Sequence, residues 1–106
     1  MNNKFTDREK GFEKKFQMDE ELQFKIAARS NKYLGEWASS KLEKNEVETR
    51  NYIQEIIKAD MEEAGQEDVF RKIKKDFQVA SISIEETEIR NQIEKALSRA
   101  KEDFKK

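Results

Sequence analysis

The chain has 106 residues, of which 42% are charged, and its 22 Lys and Arg nearly balance its 23 Asp and Glu. It contains no Cys and no His, which excludes disulfides, thiol nucleophiles, the commonest general base and zinc sites built from those residues. A net charge of −1 provides no general attraction to nucleic acid or to an anionic membrane. A chain of this length is one domain, and the absence of Pro favours helix throughout.

The first predicted element is a long helix over about residues 7–42, opened by a capping-box spacing between Thr6 and Glu9. Its second half carries apolar residues at helical spacing, which is typical of a face that packs on a core. The residues of this stripe are Ile26, Ala27, Tyr33, Leu34, Trp37 and Ala38.

The first half of this helix has a different pattern. Phe5, Phe12 and Phe16 are aligned at spacings of seven and four, but the next stripe positions, Asp19 and Gln23, are polar. A helix over 7–42 would be about 54 Å long, against roughly 18–30 Å for each of the others. The N-terminal half must therefore overhang, fray or pack on something outside the monomer. Folding back onto the bundle, forming a dimer seam and docking into a partner groove all remain open at this point.

Three shorter helices follow, predicted over about residues 47–61, 67–79 and 84–104. Each carries apolar residues on one face. The expected core residues are Tyr52, Ile53, Ile56 and Ile57 in the second helix, Val69, Phe70, Ile73 and Phe77 in the third, and Ile89, Ile93, Ala96, Leu97, Ala100 and Phe104 in the fourth. Because these faces and the stripe of the first helix can share one core, we predict an all-α four-helix bundle.

Local signals mark the starts of two of these helices. Asn45 with Glu48, and Ser83 with Glu86, have the spacing of a capping box. The stretch over residues 79–84 alternates weakly and could be extended. Since a lone strand has no partner, we interpret it as a linker between the third and fourth helices.

No motif for catalysis is present. The three glycines, Gly11, Gly35 and Gly65, are too far apart for a phosphate-binding loop, and catalysis by a Ser-His-Asp or Cys-His arrangement is excluded by composition. We therefore expect a protein that binds another protein and is not an enzyme, with no cofactor and no metal. A cluster of basic residues is interpreted as a solvated helix face, since charge runs of this kind usually are; it consists of Arg71, Lys72, Lys74 and Lys75.

The N-terminal residues and the length of the apolar stretches indicate where in the cell the protein is located. Residues 1–10 are polar and charged and lack the apolar run of a signal peptide. No apolar stretch approaches the ~18 residues that a membrane span needs. We expect a cytoplasmic protein without membrane insertion.

Two blocks, residues 7–38 and 59–73, carry a pattern known from one family. The pattern comprises Arg8 and Glu9; Phe12, Glu13, Lys15 and Phe16; the run over 19–25; Ala28, Arg29, Asn31 and Lys32; Leu34, Gly35, Trp37 and Ala38; and Gly65, Asp68 and Val69. In these residues the chain resembles the zeta-type ATPase inhibitor subunit of alphaproteobacteria, long catalogued as a domain of unknown function. It departs from that family at Ser30, where Arg is common, and at Glu43, where Gly often follows the Leu.

The resemblance implies a helical bundle over residues 19–106 and a mobile inhibitory segment over residues 1–18. It implies that this segment inserts at a catalytic interface in the head of the F-type ATP synthase, near the central stalk, and blocks rotation in the hydrolysis direction. The protein would then be membrane-associated only through the synthase. The residues implied to contact the enzyme are Phe5, Arg8, Glu9, Phe12, Glu13, Lys14, Lys15 and Phe16. The alternatives are a helical regulatory module with another partner and a weak binder of adenine nucleotides.

Overall fold

The computed structural model describes the backbone of residues 2–62 and 66–105 and the side chains of residues 20–61 and 66–105. The described chain forms four α-helices: α1 (Asn2–Lys41), α2 (Glu46–Glu62), α3 (Glu67–Val79) and α4 (Glu86–Asp103). Helix α1 packs against α2 and α4, and α3 packs against the same two helices on their other side. The predicted all-α four-helix architecture is confirmed.

The core is built mainly from the faces that the apolar spacing predicts. Four of the expected core residues are only half buried: Ile53, Ile57, Leu97 and Phe104. Trp37 is half buried and its ring lies 5.6 Å from that of Phe77 between centroids, at a tilt of 59°, an arrangement that adds to the burial of both rings. Each fully buried Leu, Ile or Phe contributes about 1.5–3 kcal/mol. The buried core residues are Leu34, Ala38, Tyr52, Ile56, Val69, Phe70, Ile73, Phe77, Ile89, Ile93, Ala96 and Ala100.

Gly35 lets α1 and α2 approach each other closely. A Cβ added at Gly35 would lie 2.6 Å from Cγ1 of Ile53 and 3.1 Å from Cα of Ile53. Contacts this short are repulsive, and the second one involves the backbone of α2, so α2 itself would have to move. A glycine in the middle of α1 is therefore explained by packing, at some cost in helix propensity.

The predicted capping box at the start of α2 is confirmed. The backbone N–H of Glu48 donates to Oδ1 of Asn45 at 2.8 Å, and the backbone N–H of Asn45 donates to Oε1 of Glu48 at 2.9 Å. Two amide hydrogens that the helix leaves without partners are thereby satisfied.

Two helices end in a left-handed residue that is not glycine. Glu43 has φ of 56°, and the following N–H of Lys44 donates to the carbonyl of Ser39 at 3.0 Å. Ser81, with φ of 60°, ends α3 in the same way. These are the hydrogen bonds of a Schellman cap, so the turn after α1 forms even though Glu43 replaces the usual Gly.

The predicted start of α4 is wrong by two residues. The helix begins at Glu86, and its N-cap residue is Glu85 in extended conformation with no side-chain capping bond, so Ser83 does not form the predicted capping box. The reason lies in the linker, where Ile82 and Ile84 alternate and both pack against the core. Residues two positions apart face the same side when the backbone is not helical but extended, whereas in a helix Ile82 and Ile84 would face different directions and could not both reach the core. The interpretation of this stretch as a linker is confirmed.

The start of α1 also differs from the prediction. The helix begins at Asn2 and not near residue 7, so Thr6 lies inside it. The side chains of Thr6 and Glu9 lie outside the described ones.

A polar cluster ties α2 to α3 beside the core. The hydroxyl of the buried Tyr52 donates to Oδ2 of Asp76 at 2.7 Å, and Nζ of Lys72 donates to the same carboxylate at 3.1 Å and to Oε1 of Glu55 at 3.0 Å. Burial, followed by the hydrogen bond to Asp76, raises the pKa of Tyr52 above its ordinary value. Lys72 belongs to the basic cluster that was interpreted as a solvated helix face, and here it stabilises the packing of α2 on α3.

The close contact at Gly35 predicts a double-mutant result. We expect Gly35→Ala to destabilise the bundle by about 1–2 kcal/mol, because overpacking outweighs the gain in helix propensity. Combined with Ile53→Ala, which removes Cγ1, Gly35→Ala should cost less than it does alone. Urea unfolding of the wild type, both single variants and the double variant measures the coupling, and strictly additive effects would contradict the assigned contact.

The raised pKa of Tyr52 predicts alkaline sensitivity. The folded chain retains a phenolic proton that the unfolded chain releases above about pH 10, so folding stability should fall as the pH rises past that value. Tyr52→Phe should cost about 1 kcal/mol at pH 7 through the lost hydrogen bond, and should lose less stability than the wild type between pH 9.5 and about pH 11. Urea unfolding at several pH values provides the test; parallel alkaline losses in the two proteins would refute it.

Candidate functional site

Helix α1 leaves the bundle at Ile26. Residues 20–25 are all exposed, whereas Ile26 and the three residues after it are half buried. Helix α1 has 40 residues, while its neighbours α2 and α4 have 17 and 18. At 1.5 Å per residue, neither neighbour can cover α1 along its length. The predicted overhang is confirmed, and the helix continues from there to Asn2.

The residues implied to contact an enzyme all belong to the first part of α1. Their backbone is helical, and spacings of seven and four place Phe5, Phe12 and Phe16 on one face. Their side chains lie outside the described residues, so their contacts stay a prediction, as does the domain boundary at residue 18. The full set is Phe5, Arg8, Glu9, Phe12, Glu13, Lys14, Lys15 and Phe16.

The end of α4 contacts α1 within the bundle, close to the point where α1 leaves it. Oδ2 of Asp103 accepts hydrogen bonds from the hydroxyl of Tyr33 and, at 3.3 Å, from Nη1 of Arg29. The Arg29 guanidinium also lies 5.2 Å from the ring centroid of Phe104. We call Arg29, Tyr33, Asp103 and Phe104 the α1–α4 latch.

The surroundings of Arg29 favour its charged form. A hydrogen bond with Tyr33, followed by the charge of Asp103, raises the pKa of Arg29 above its ordinary value. A second cation, Arg99, lies 3.9 Å from the ring centroid of Tyr33 and adds a cation–π contact. The latch fixes the base of the overhanging helix relative to the bundle.

Sequence reasoning did not find the latch. Arg29 and Tyr33 are one turn apart on α1, which indicated that they share a face. Their common partner, Asp103, is separated from them by 74 and 70 residues. Only the packing of α4 on α1 shows that the three side chains meet.

A partly buried polar pair joins α1 to the end of α2. Nδ2 of Asn31 donates to Oδ2 of Asp60 at 3.0 Å, beside a groove of about 320 Å³. Ser30, at the position where the family often has Arg, is also buried and lines this groove. A small side chain at this position leaves the groove open.

Charged side chains elsewhere on the bundle form ion pairs. Arg71 bonds to Asp68, Lys74 lies 3.3 Å from Glu86, and Arg90 lies 3.0 Å from Glu67. Across residues 20–61 and 66–105, no three His, Cys, Asp or Glu side chains cluster as metal ligands. No helix in the described part combines the length and apolar character needed to cross a bilayer.

The latch predicts a local effect on α4. Asp103→Ala should speed amide hydrogen exchange in the last turn of α4, while the free energy of unfolding falls by less than about 1 kcal/mol, because the pair is partly exposed. Glu102→Ala removes a neighbouring exposed carboxylate and is the matched control. Exchange rates that respond equally to both substitutions would show that Asp103 holds nothing in place.

Comparison with known proteins agrees with this architecture. A solved solution NMR structure is 41% identical, with a TM-score of 0.68 over 76% of this chain and 92% of that chain. No curated protein sequence matches the chain significantly. The family profile described as ATPase inhibitor subunit zeta matches residues 1–103. The chain therefore belongs to the family of ATPase inhibitor zeta subunits.

Proposed function

We propose that this protein inhibits ATP hydrolysis by the F-type ATP synthase by inserting residues 1–18 of α1 at a catalytic interface of the enzyme head. Membership of the zeta family supports the inhibitor role. The observation that carries the mechanism is the emergence of α1 from the bundle, with residues 20–25 exposed and the helix continuing to Asn2. A helix that its own bundle cannot cover is suited to insertion into a partner.

The energy for insertion comes from the aromatic face of the segment. Phe5, Phe12 and Phe16 each gain about 1.5–3 kcal/mol if they are fully buried, which offsets the entropy lost on ordering the segment. The charged residues Arg8, Lys14 and Lys15, together with Glu9 and Glu13, lie between these rings along the chain. At the rim of an interface such charges govern association rate and specificity more than affinity.

The bundle acts as a stop in this proposal. A single helix is about 10–12 Å wide, and four packed helices are much wider than the groove that admits one. Insertion would end where α1 enters the bundle, near Ile26. The preference for blocking hydrolysis would come from the asymmetry of the rotary enzyme, since a rigid plug has no direction of its own. The protein would be located at the membrane through the synthase.

The two alternatives from the sequence stay predictions. A helical regulatory module with another partner would be favoured if no ATPase subunit co-purified with the chain. A nucleotide-binding protein would be favoured if calorimetry detected binding of ATP or ADP to a chain that does not inhibit the enzyme.

Truncation tests the proposed function. A chain of residues 19–106 should keep its helical circular dichroism and cooperative unfolding but should no longer inhibit, because the core is formed from Leu34 onward. The measurement is steady-state ATP hydrolysis by the ATPase head of the same organism, titrated with each protein. Full inhibition by the truncated chain would refute insertion of the segment.

Two full-length double variants test the aromatic face of the segment: one removes two of its phenylalanines, and the other is the matched control. Phe12→Ser with Phe16→Ser should raise the half-inhibitory concentration at least about tenfold, given the burial free energy of two phenylalanines. Val47→Ser with Val79→Ser removes two apolar side chains that are 57% and 78% exposed on the bundle and should leave inhibition unchanged.

A further inference from the structure

A second binding feature lies beside the point where α1 leaves the bundle. A groove of about 400 Å³ runs along α1, bounded by α2 and by the residue that follows α4; we call it the outer groove. Phe24, at its N-terminal end, is 67% exposed. The other apolar lining residues are only half buried: Ala28, Ile53, Ile57 and Phe104. The spacing of α2 predicted that Ile53 and Ile57 belong to the core, but they face this groove.

The rim of the outer groove is cationic. Lys25, Arg29 and Lys32 line it from one face of α1 at spacings of four and three, and the groove has no carboxylate among its described lining residues. Gln54 is its remaining polar residue. Arg29 is already paired with Asp103 in the latch, so Lys25 and Lys32 are the cations that the rim offers to a partner. An apolar floor with a rim of one sign is the arrangement that binds an amphipathic helix of the opposite sign.

We propose that the outer groove docks an acidic amphipathic helix of the ATPase head, with apolar side chains against Phe24 and Ile57 and carboxylates on Lys25 and Lys32. This inference rests on the proposed function. Phe24 and Lys25 lie in the exposed stretch that connects the bundle to the inserting segment. When the ATPase head binds the inserting segment, its surface also comes close to the outer groove. The head would therefore contact both the segment and the groove.

Charge argues against the two other occupants. A second copy of the chain would bring its three cations against the same three cations, and like charges in contact are unfavourable. The chain's own residues 1–18 carry five basic and three acidic side chains, so this segment is also repelled by the cationic rim. An acidic partner surface is the complementary one.

Charge reversal tests the docking in the full-length chain. Lys25→Glu with Lys32→Glu should raise the Kd for the isolated ATPase head at least about tenfold at low salt and should weaken the dependence of the Kd on salt. Arg29 is left in place because it belongs to the latch. Lys75→Glu with Lys101→Glu makes the same change in net charge at exposed positions of α3 and α4 and should leave the Kd within about twofold of the wild type.

An apolar substitution tests the floor. Phe24→Ser should raise both the Kd and the half-inhibitory concentration at least about fivefold, since an aromatic anchor in a groove contributes strongly to binding. Val79→Ser, at a side chain that is 78% exposed, is the control. Melting temperatures within a few degrees of the wild type for all variants show that the bundle is intact.

The outcomes separate this inference from the proposed function. If the groove variants bind and inhibit the ATPase head as well as the wild type does, the proposed docking is overturned and the proposed inhibitor role remains. A wild-type chain that neither binds nor inhibits the head overturns both. If sedimentation shows that the wild type is a dimer and that Lys25→Glu with Lys32→Glu makes it a monomer, the outer groove is occupied by a second copy of the chain. If Phe12→Ser with Phe16→Ser changes the NMR amide chemical shifts of Ala28 and Ile57 in the free chain, the outer groove is occupied by the chain's own N-terminal segment. Either of these last two results overturns the proposal.

Discussion

The two helices that flank α1 have 17 and 18 residues against its 40, and this mismatch governs what the molecule can do. Burial of apolar surface is the main source of stability, and among the residues of α1 whose side chains the structure describes it begins at Ile26. The described residues before that point, 20–25, are exposed. The segment proposed to insert lies N-terminal to this core, which is why its removal is expected to abolish inhibition without unfolding the protein.

The covered half of α1 is held on both sides. On the α2 side, Gly35 allows the backbones to approach so closely that a Cβ would lie 2.6 Å from Ile53. On the α4 side, Arg29 and Tyr33 share the carboxylate of Asp103. A helix fixed by close packing on one side and by charged hydrogen bonds on the other leaves the bundle in a defined direction. Such a base limits the orientational freedom that an inserting segment would lose on binding.

The outer groove lies where the exposed stretch of α1 meets the bundle, so both proposed contacts involve the same helix. Once the N-terminal segment has entered a partner, the groove meets its docking helix at a high effective concentration, and a weak contact then contributes strongly to the total affinity. The cationic rim of Lys25, Arg29 and Lys32 would also steer the bundle toward an acidic surface.

Much of the architecture follows from the sequence, because apolar spacing reports which face of a helix is buried and capping residues report where it starts. The four helices, the core positions in α3 and the capping box of Asn45 and Glu48 were determined in this way, and the overhang followed from length alone. Spacing does not report which helix lies opposite a face. The meeting of Arg29 with Asp103, the position of the half-buried Ile53 and Ile57 in a groove, and the late start of α4 after Ile82 and Ile84 were therefore decided only by the tertiary structure, in which residues distant along the chain compete for the same space.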